Sequence, residues 1–229
     1  ASGVTAIAAG GLHNCVRTAS GGARCWGENN FGQLGDGSNV DRSTPVDVVG
    51  MSGGVSAITG GWNHTCALIS GGAARCWGYN AFGQLGNGNT TLQTAPVAVS
   101  GLASGVQAIS GGDSHTCAVT AGGGVKCWGY NGFGQLGNGT VFNQSTAVDV
   151  NGLASGVAAI ATGDHHSCAL TDAGAVRCWG WGASGQLGIG SVSNRTAPAN
   201  VTGLSSGVAA IAAGSGHTCA LTIGGAVKC

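Results

Sequence analysis

A repeat with a period of 51 residues runs through this chain of 229 residues and limits its possible folds more than any other feature. A Trp-Gly dipeptide and a Gly-Gln-Leu-Gly segment recur at this spacing. Their tryptophans are Trp26, Trp77, Trp128 and Trp179, and their glutamines are Gln33, Gln84, Gln135 and Gln186. The chain therefore holds four whole repeats and about half of a fifth. A fixed period of this size indicates an architecture in which each unit buries its apolar faces against its neighbours.

Each repeat contains four short segments with the pattern of β-strands, separated by glycine-rich turns. In the second repeat they cover residues 55–61, 64–68, 74–78 and 96–99. The fourth segment opens with proline in three repeats, which indicates an edge strand because proline lacks a ladder N–H. Four strands in about 50 residues predict an all-β fold, a β-propeller of four-stranded antiparallel blades. The predicted blades, which make a single propeller or part of one, are residues 1–50, 51–101, 102–152 and 153–203, with a partial fifth at 204–229.

The chain carries very little charge. Charged residues make up 7% of it, and 8 basic residues balance 8 acidic ones. We therefore expect no nucleic-acid partner. No apolar run approaches the roughly 18 residues of a membrane helix, so we expect no membrane insertion. No signal peptide is recognisable, so a secreted form would be represented here by its mature part.

Ten cysteines form five pairs, each separated by ten residues. The sequence pairs Cys15 with Cys25, Cys66 with Cys76, Cys117 with Cys127, Cys168 with Cys178, and Cys219 with Cys229. A hairpin centred between two such cysteines places them directly opposite each other, close to disulfide range. The regular spacing therefore predicts a disulfide in every blade and an oxidising compartment.

A histidine lies two residues before the first cysteine of each pair. These histidines are His13, His64, His115, His166 and His217. Two alternatives to disulfides follow: reduced core thiols, or a zinc site built from the histidine and both cysteines. With oxidised cysteines, we expect the histidines to bond backbone groups between blades, and we expect no metal and no cofactor.

Three segments of the second repeat resemble the repeat of the regulator of chromosome condensation family: residues 64–68 (His-Thr-Cys-Ala-Leu), 76–80 (Cys-Trp-Gly-Tyr-Asn) and 83–86 (Gly-Gln-Leu-Gly). The resemblance covers nearly the whole chain. It implies a β-propeller, commonly of seven blades, that binds other proteins. The family includes an exchange factor for a small GTPase, a plant UV-B photoreceptor and secreted β-lactamase inhibitors. Four and a half repeats leave three possibilities: part of a longer propeller, a ring closed between chains, or five blades with a strand missing.

Residues that break the repeat are candidates for recognition. The turn between the first two strands of each blade, here called the A–B turn, reads Gly11, Trp62, Asp113, Asp164 and Ser215 at its first position. A scaffold that keeps its strands and varies one turn predicts a recognition surface. The candidate interaction surface consists of Trp62, Asn63, Asp113, Asp164, His165, Phe142 and Trp181. The alternative is that the aromatic residues among them only cap neighbouring blades.

The repeat provides no obvious catalytic set. Once the cysteines are paired, no Ser/His/Asp or Cys/His constellation recurs, so we predict no catalytic residues and no enzyme. Five basic residues share the period: Arg24, Arg75, Lys126, Arg177 and Lys228. A ring of them could bind an anionic partner. No acidic residue shares the period, so we expect them instead to bond carbonyl groups of the neighbouring blade.

Disulfide-stapled blades favour a non-enzymatic extracellular binding or structural module. The alternatives are a guanine nucleotide exchange factor for a small GTPase and a secreted enzyme inhibitor. The faces of the end blades, which include Val4, Ile7, Leu221 and Val227, are expected to be exposed. We expect them to bind further blades or to mediate self-association.

Overall fold

A computed structural model describes residues 3–229 as nineteen strands in five antiparallel sheets. The strands of the first two blades are Val4–Ala9 (β1), His13–Thr18 (β2), Ala23–Gly27 (β3), Arg42–Asp47 (β4), Val55–Gly60 (β5), His64–Ile69 (β6), Ala73–Gly78 (β7) and Gln93–Ala98 (β8). Those of the third and fourth are Val106–Gly111 (β9), His115–Thr120 (β10), Val125–Gly129 (β11), Gln144–Asp149 (β12), Val157–Thr162 (β13), His166–Thr171 (β14), Val176–Gly180 (β15) and Arg195–Asn200 (β16). The fifth blade has Val208–Ala213 (β17), Thr218–Thr222 (β18) and Val227–Lys228 (β19).

Each of the first four sheets follows the chain order, and the fifth sheet has three strands. This arrangement confirms the predicted all-β propeller with four full repeats and a partial fifth. A membrane-crossing helix is absent from residues 3–229.

The second strand of each blade is the most deeply buried. In β6, Thr65, Cys66 and Ala67 are fully buried, because the two faces of the strand pack against the two neighbouring blades: Cys66 lies in a cluster with Trp128 of the third blade, and Ala67 in a cluster with Leu34 of the first. At this depth the strand carries small or apolar side chains, except at His64, whose ring is hydrogen-bonded to Thr116 of the next blade. The composition of this strand therefore follows from its position between sheets.

The fourth strand begins earlier than the sequence predicts. In the first blade it starts at Arg42, three residues before Pro45. The ladder pairs Cys25 with Val46 and then Gly27 with Arg42, so Pro45 lies in a bulge of an edge strand. The expected edge position is confirmed, but the proline is inside the strand, because a bulge relieves it of any ladder hydrogen bond.

The third blade has the same bulge without a proline. Cys127 pairs with Val148 in the ladder, and the register then shifts so that Gly129 pairs with Gln144. Ala147 stands there where the first blade has its proline. The bulge is therefore a property of the blade, and proline is tolerated in it but not required for it.

Tryptophans join each blade to the one before it. Trp77 is fully buried in a cluster with Leu34 and Val48 of the first blade and Met51 of the connection that follows it. A Cβ on Gly35 would lie 2.6 Å from the indole nitrogen, so glycine is required at that place. Trp128 and Trp179 repeat this packing on the second and third blades. Burying an indole of this size stabilises each junction by roughly 3 kcal/mol or more.

The outer faces of the first and fifth blades expose apolar side chains, as expected. Ile7 is 68% exposed and Val227 is 66% exposed, and Val4 and Leu221 are also exposed. Successive blades pack on each other through their first and second strands from the first blade to the fifth.

Candidate functional site

The structure contains the five disulfides that the ten-residue spacing predicts. They join Cys15 to Cys25, Cys66 to Cys76, Cys117 to Cys127, Cys168 to Cys178, and Cys219 to Cys229. In each bridge the two Cα atoms are 4.1 Å apart. In the first four blades the two cysteines also lie directly opposite each other in the ladder.

Oxidation of the cysteines decides between the alternatives left open by the sequence. All ten cysteines are in disulfides, which removes the thiolates that a zinc site or reduced core thiols would require. In the third blade, Cys117 and Cys127 are fully buried and bonded to each other, so neither can act as a metal ligand beside His115. Among residues 3–229, no cluster of three or more His, Cys, Asp or Glu side chains is arranged to hold a metal ion.

Each of the first four histidines starts a hydrogen-bonded relay into the next blade. His13 Nε2 lies 2.8 Å from Thr65 Oγ1. That hydroxyl donates its single proton to the Gln33 carbonyl at 2.7 Å, so it must accept from His13 Nε2–H. The indole N–H of Trp77 donates to the same carbonyl at 2.9 Å. The relay therefore selects the Nε2-protonated tautomer and leaves Nδ1 a buried acceptor without a partner.

This relay, here called the inter-blade relay, recurs at each junction. The other three sets are His64–Thr116–Gln84, His115–Ser167–Gln135 and His166–Thr218–Gln186. The expectation that the histidines bond backbone groups was wrong in its details, because a side-chain hydroxyl of the next blade stands between ring and carbonyl. Burial lowers the pKa of His64 and His115 to about 3, and that of His13 and His166 to about 4. All four imidazoles are therefore neutral at pH 7.

Asparagine and glutamine side chains hold the loop between the third and fourth strands. In the second blade, Gln84 Oε1 accepts from the Phe82 amide at 3.0 Å. Fully buried Asn80 accepts from the Leu85 amide and donates to the Thr91 carbonyl. Sequence reasoning missed this residue, although its 51-residue recurrence at Asn29 and Asn131 was a visible signal. These bonds give the loop a defined shape.

The A–B turns of successive blades are bonded to one another around the axis. The Trp62 amide donates to the Gly112 carbonyl at 3.2 Å, and the Asp113 amide donates to the Asp164 carbonyl at 3.3 Å. Together the turns surround a cavity of about 390 Å³ lined by Trp62, Asp113, Asp164 and Ser215. Trp62 is 47% exposed there. The side chains of Ser215 and Asp164 are also hydrogen-bonded. Burial raises the pKa of Asp113.

A continuous row of aromatic rings crosses the loops of the first four blades. The row, here called the aromatic row, consists of Phe31, Tyr79, Phe82, Tyr130, Phe133, His165 and Trp181. Ring centroids are 4.9 Å apart for Phe31 and Tyr79, and 5.0 Å apart for Phe82 and Tyr130. These separations suit edge-to-face contact. Every ring in the row is partly exposed.

The aromatic row and the A–B turns lie on one face of the propeller. The Trp181 amide donates to the His165 carbonyl at 2.8 Å, and the Tyr79 amide donates to the Asn63 carbonyl at 2.9 Å. His165 also lies 4.0 Å from the Asp113 carboxylate. It therefore connects the axial cavity to the aromatic row.

The structure brings together most of the predicted interaction surface. Trp62, Asp113 and Asp164 line the axial cavity, and His165 and Trp181 end the aromatic row. Asn63 is partly buried and supports the loop through its carbonyl. Phe142 is 72% exposed in the loop before β12, and no ring pair joins it to the row within residues 3–229. Sequence reasoning missed the other five rings of the row, because they recur with the period and so looked structural.

The periodic basic residues differ from expectation. Arg24 pairs with Asp47 at 2.7 Å and Lys126 pairs with Asp149 at 2.6 Å, across the third and fourth strands of one blade. The second and fourth repeats have Ala98 and Asn200 at the positions of Asp47 and Asp149, so no acidic residue recurs in every repeat to indicate these ion pairs. Arg177 does donate to a carbonyl, that of Gly152, at 3.4 Å. The two ion pairs are exposed and contribute little to stability.

Fold and repeat together define a β-propeller of the RCC1 type. The family model described as "Regulator of chromosome condensation (RCC1) repeat" matches residues 20–68, 72–119, 123–170 and 173–221. The chain belongs to this family, which confirms the resemblance read from its motifs.

Two curated relatives are about one third identical to this chain over the aligned residues. It is 34% identical over 230 residues to the Ultraviolet-B receptor UVR8 of Arabidopsis thaliana, and this alignment covers 98% of this chain and 52% of the receptor. It is 34% identical over 210 residues to the probable E3 ubiquitin-protein ligase HERC4 of Homo sapiens, covering 87% of this chain and 19% of the ligase. The chain therefore spans about half or less of the length of these relatives.

Solved structures share the fold at lower identity. Prp20p of Saccharomyces cerevisiae superposes with a TM-score of 0.83 at 20% identity, covering 96% of this chain and 56% of Prp20p. The ectodomain of the receptor kinase CR4 of Physcomitrella patens superposes with a TM-score of 0.55 at 21% identity, covering 96% and 47% of the two chains. Both likenesses show the shared fold.

Proposed function

We propose that this chain is a non-enzymatic, protein-binding propeller of an extracellular, oxidising compartment. We further propose that its partner binds the face that carries the aromatic row and the A–B turns. The observation that carries the proposal is the continuity of partly exposed rings from Phe31 to Trp181 beside the exposed Trp62. Rigid, partly exposed aromatic side chains are the groups that dominate binding energy at protein interfaces.

Relatives support a role in protein binding. One crystal structure of Prp20p is described together with the binding of Prp20p to Gsp1p and histones. Another shows Kap60 bound to Prp20p. The present chain offers a suitable surface because hydrogen bonds hold its loops in place before any partner arrives. Binding to such a surface needs little ordering of side chains.

The extracellular compartment is supported by the five disulfides, because cytosolic thiol buffers keep most such pairs reduced. Exchange-factor and enzyme-inhibitor activities stay alternative hypotheses. A thiol count under denaturing conditions on protein from its native source tests the compartment. We expect no reactive thiol, and a count of ten would contradict an oxidising location.

The binding face is tested by affinity capture from the extracellular fraction of the source organism, with identification of the retained protein. Trp181→Ala and Trp62→Ala should each weaken binding of that protein by more than about 1 kcal/mol, or roughly fivefold. Ile223→Ala is the matched control, because Ile223 is exposed at the hairpin turn on the opposite end of the strands. Equal losses for all three variants, or none, would contradict the proposed face.

A further inference from the structure

A cavity of about 440 Å³ lies between the first and second blades, at the strand ends opposite the A–B turns. Its lining, here called the arginine cavity, includes Val49, Met51, Ile69, Arg75 and Pro96. Arg75 is the one charged residue of the lining. Both blades have all four strands, and the cavity has the size and the mainly apolar character of a small-ligand site.

Arg75 differs from its counterparts in having no acidic partner. The ladder pairs Arg24 with Asp47, and the two side chains form an ion pair, as do those at the same positions of the third blade. In the second blade the ladder pairs Arg75 with Ala98 instead, and no group of residues 3–229 forms a hydrogen bond or an ion pair with its guanidinium. This cation is therefore available to a ligand.

Two further departures from the repeat make the surroundings of Arg75 apolar. Val49 is 49% exposed and stands where the later repeats have polar residues, namely Ser100, Asn151 and Thr202. Ile69 stands where every other repeat has threonine, namely Thr18, Thr120, Thr171 and Thr222. Both changes replace a polar side chain by an apolar one in the wall of a single cavity.

Ile69 also costs its blade a hydrogen bond. Thr18 Oγ1 accepts from the Gly22 amide of the following hairpin turn at 3.0 Å, and the threonines at this position in the third, fourth and fifth blades accept in the same way. Isoleucine cannot accept this bond, so the second blade has apolar surface at the cavity in place of a bonded turn. Such a local departure from the rules of a fold is typical of a functional site.

We propose that the arginine cavity binds a carboxylic acid that has an apolar body. The Arg75 guanidinium donates to the carboxylate as a bidentate pair, and the apolar body packs against Val49 and Ile69. Two sources provide this chemistry: a free organic acid, and the C-terminal carboxylate of a polypeptide that ends in an apolar residue. The site is at the opposite end of the strands from the aromatic row, so it does not depend on the protein partner proposed above.

The test titrates the isotope-labelled 229-residue chain with octanoate and follows backbone amide signals by NMR. We expect saturable shifts centred on Gly54, Ser70 and Arg75, which line the cavity. Methyl octanoate has the same apolar body without the charge, so it should bind at least tenfold more weakly.

A second titration distinguishes the two sources of the carboxylate. It uses the peptide N-acetyl-Gly-Gly-Leu with a free C-terminal carboxylate, and its C-terminal amide as the control. Tighter binding of the acid peptide than of octanoate assigns the cavity to a polypeptide C-terminus, and the reverse order assigns it to a free acid.

Two arginine variants provide a matched pair. Arg75→Gln should weaken octanoate binding at least tenfold, because the bidentate pair is lost. Arg24→Gln, at the same position of the first blade but outside the cavity, should change it by less than twofold. Ala98→Asp places a carboxylate opposite Arg75, as in the first blade, so it should compete with the ligand and weaken binding at least fivefold.

Ile69→Thr separates a binding role from a structural one. The hydroxyl restores the hydrogen bond of the hairpin turn, so the variant should unfold at a higher urea concentration. It also removes apolar surface from the cavity wall, so it should bind octanoate at least threefold more weakly.

Four results would overturn the proposal. One is the absence of saturable binding of either acid, and another is shifts centred away from the cavity. The third is equal affinity for octanoate and its methyl ester. The fourth is an equal loss of affinity for Arg75→Gln and Arg24→Gln, which would show a general effect of net charge.

Discussion

Thr116→Val tests whether the inter-blade relay stabilises the propeller. Thr116 Oγ1 accepts from His64 Nε2 and donates to the Gln84 carbonyl, both at 2.9 Å. Valine keeps the shape of threonine but removes the hydroxyl. The buried Nε2–H of His64 then loses its acceptor.

The expected loss can be worked out from these contacts. An unpaired buried N–H costs about 1–3 kcal/mol, and the lost hydrogen bond to Gln84 adds about 1 kcal/mol. That carbonyl still accepts from Trp128, so it is not left without a donor. Thr116→Val should therefore lower the free energy of unfolding by about 2–4 kcal/mol.

Urea unfolding measures this loss, and Thr116→Ser is its control. Serine keeps the hydroxyl, and the chain already uses Ser167 in the relay of the next junction, with both contacts at 2.9 Å. The serine variant should lose about 1 kcal/mol, the contribution of one buried methyl group. If valine costs no more than serine, His64 must find another acceptor and the reasoning is refuted. Nitrogen NMR of the His64 ring would identify its tautomer directly.

Three further predictions concern stability and assembly. The four buried histidines of the relay have pKa values below that of an unfolded histidine, so their contribution to folding stability is complete above about pH 6.5 and is lost as the pH falls. Urea unfolding at pH 7 and pH 5 should show that the free energy of unfolding falls by about 2 kcal/mol per histidine. An unchanged free energy of unfolding would contradict neutral rings. Gly86→Ala places a Cβ 2.8 Å from the Trp128 nitrogen, so calorimetry should show that the free energy of unfolding falls by about 2–4 kcal/mol. The control is Gly101→Ala, which strains the backbone to the same degree but has open space around its Cβ, and it should cost about 1 kcal/mol. Ile7→Ser on the exposed face of the first blade should lower any self-association seen by light scattering, and the same mass distribution for both proteins would place the contact elsewhere.

Much of the blade was predictable because its rules are local. Strand alternation and the ten-residue spacing around a glycine-rich turn place Cys66 opposite Cys76, and Cys117 opposite Cys127, without knowledge of any other blade. The bulge that follows Cys127 and its counterpart around Pro45 were not predictable, since each depends on how the fourth strand meets the third.

Contacts between blades were harder to predict from the sequence. His13 and Thr65 are 52 residues apart, and both recur with the period, so the sequence marks them as important without showing that they touch. The aromatic row was missed for the same reason. Trp181 was noticed because it breaks the pattern, whereas Tyr79 and Tyr130 follow it, yet all three contribute to one surface.

Each disulfide closes a loop inside one hairpin, so no disulfide joins one blade to the next. Under mechanical tension the blades can therefore peel away one at a time, while the ten residues behind each bridge stay shielded from the force. A pulled repeat would lengthen by roughly 41 of its 51 residue steps, or about 140 Å of contour. Adding a reductant would release the remaining ten steps. The disulfides thus set how far each blade extends when it unfolds under force. The buried tryptophans and the inter-blade relay set the force at which the blade unfolds.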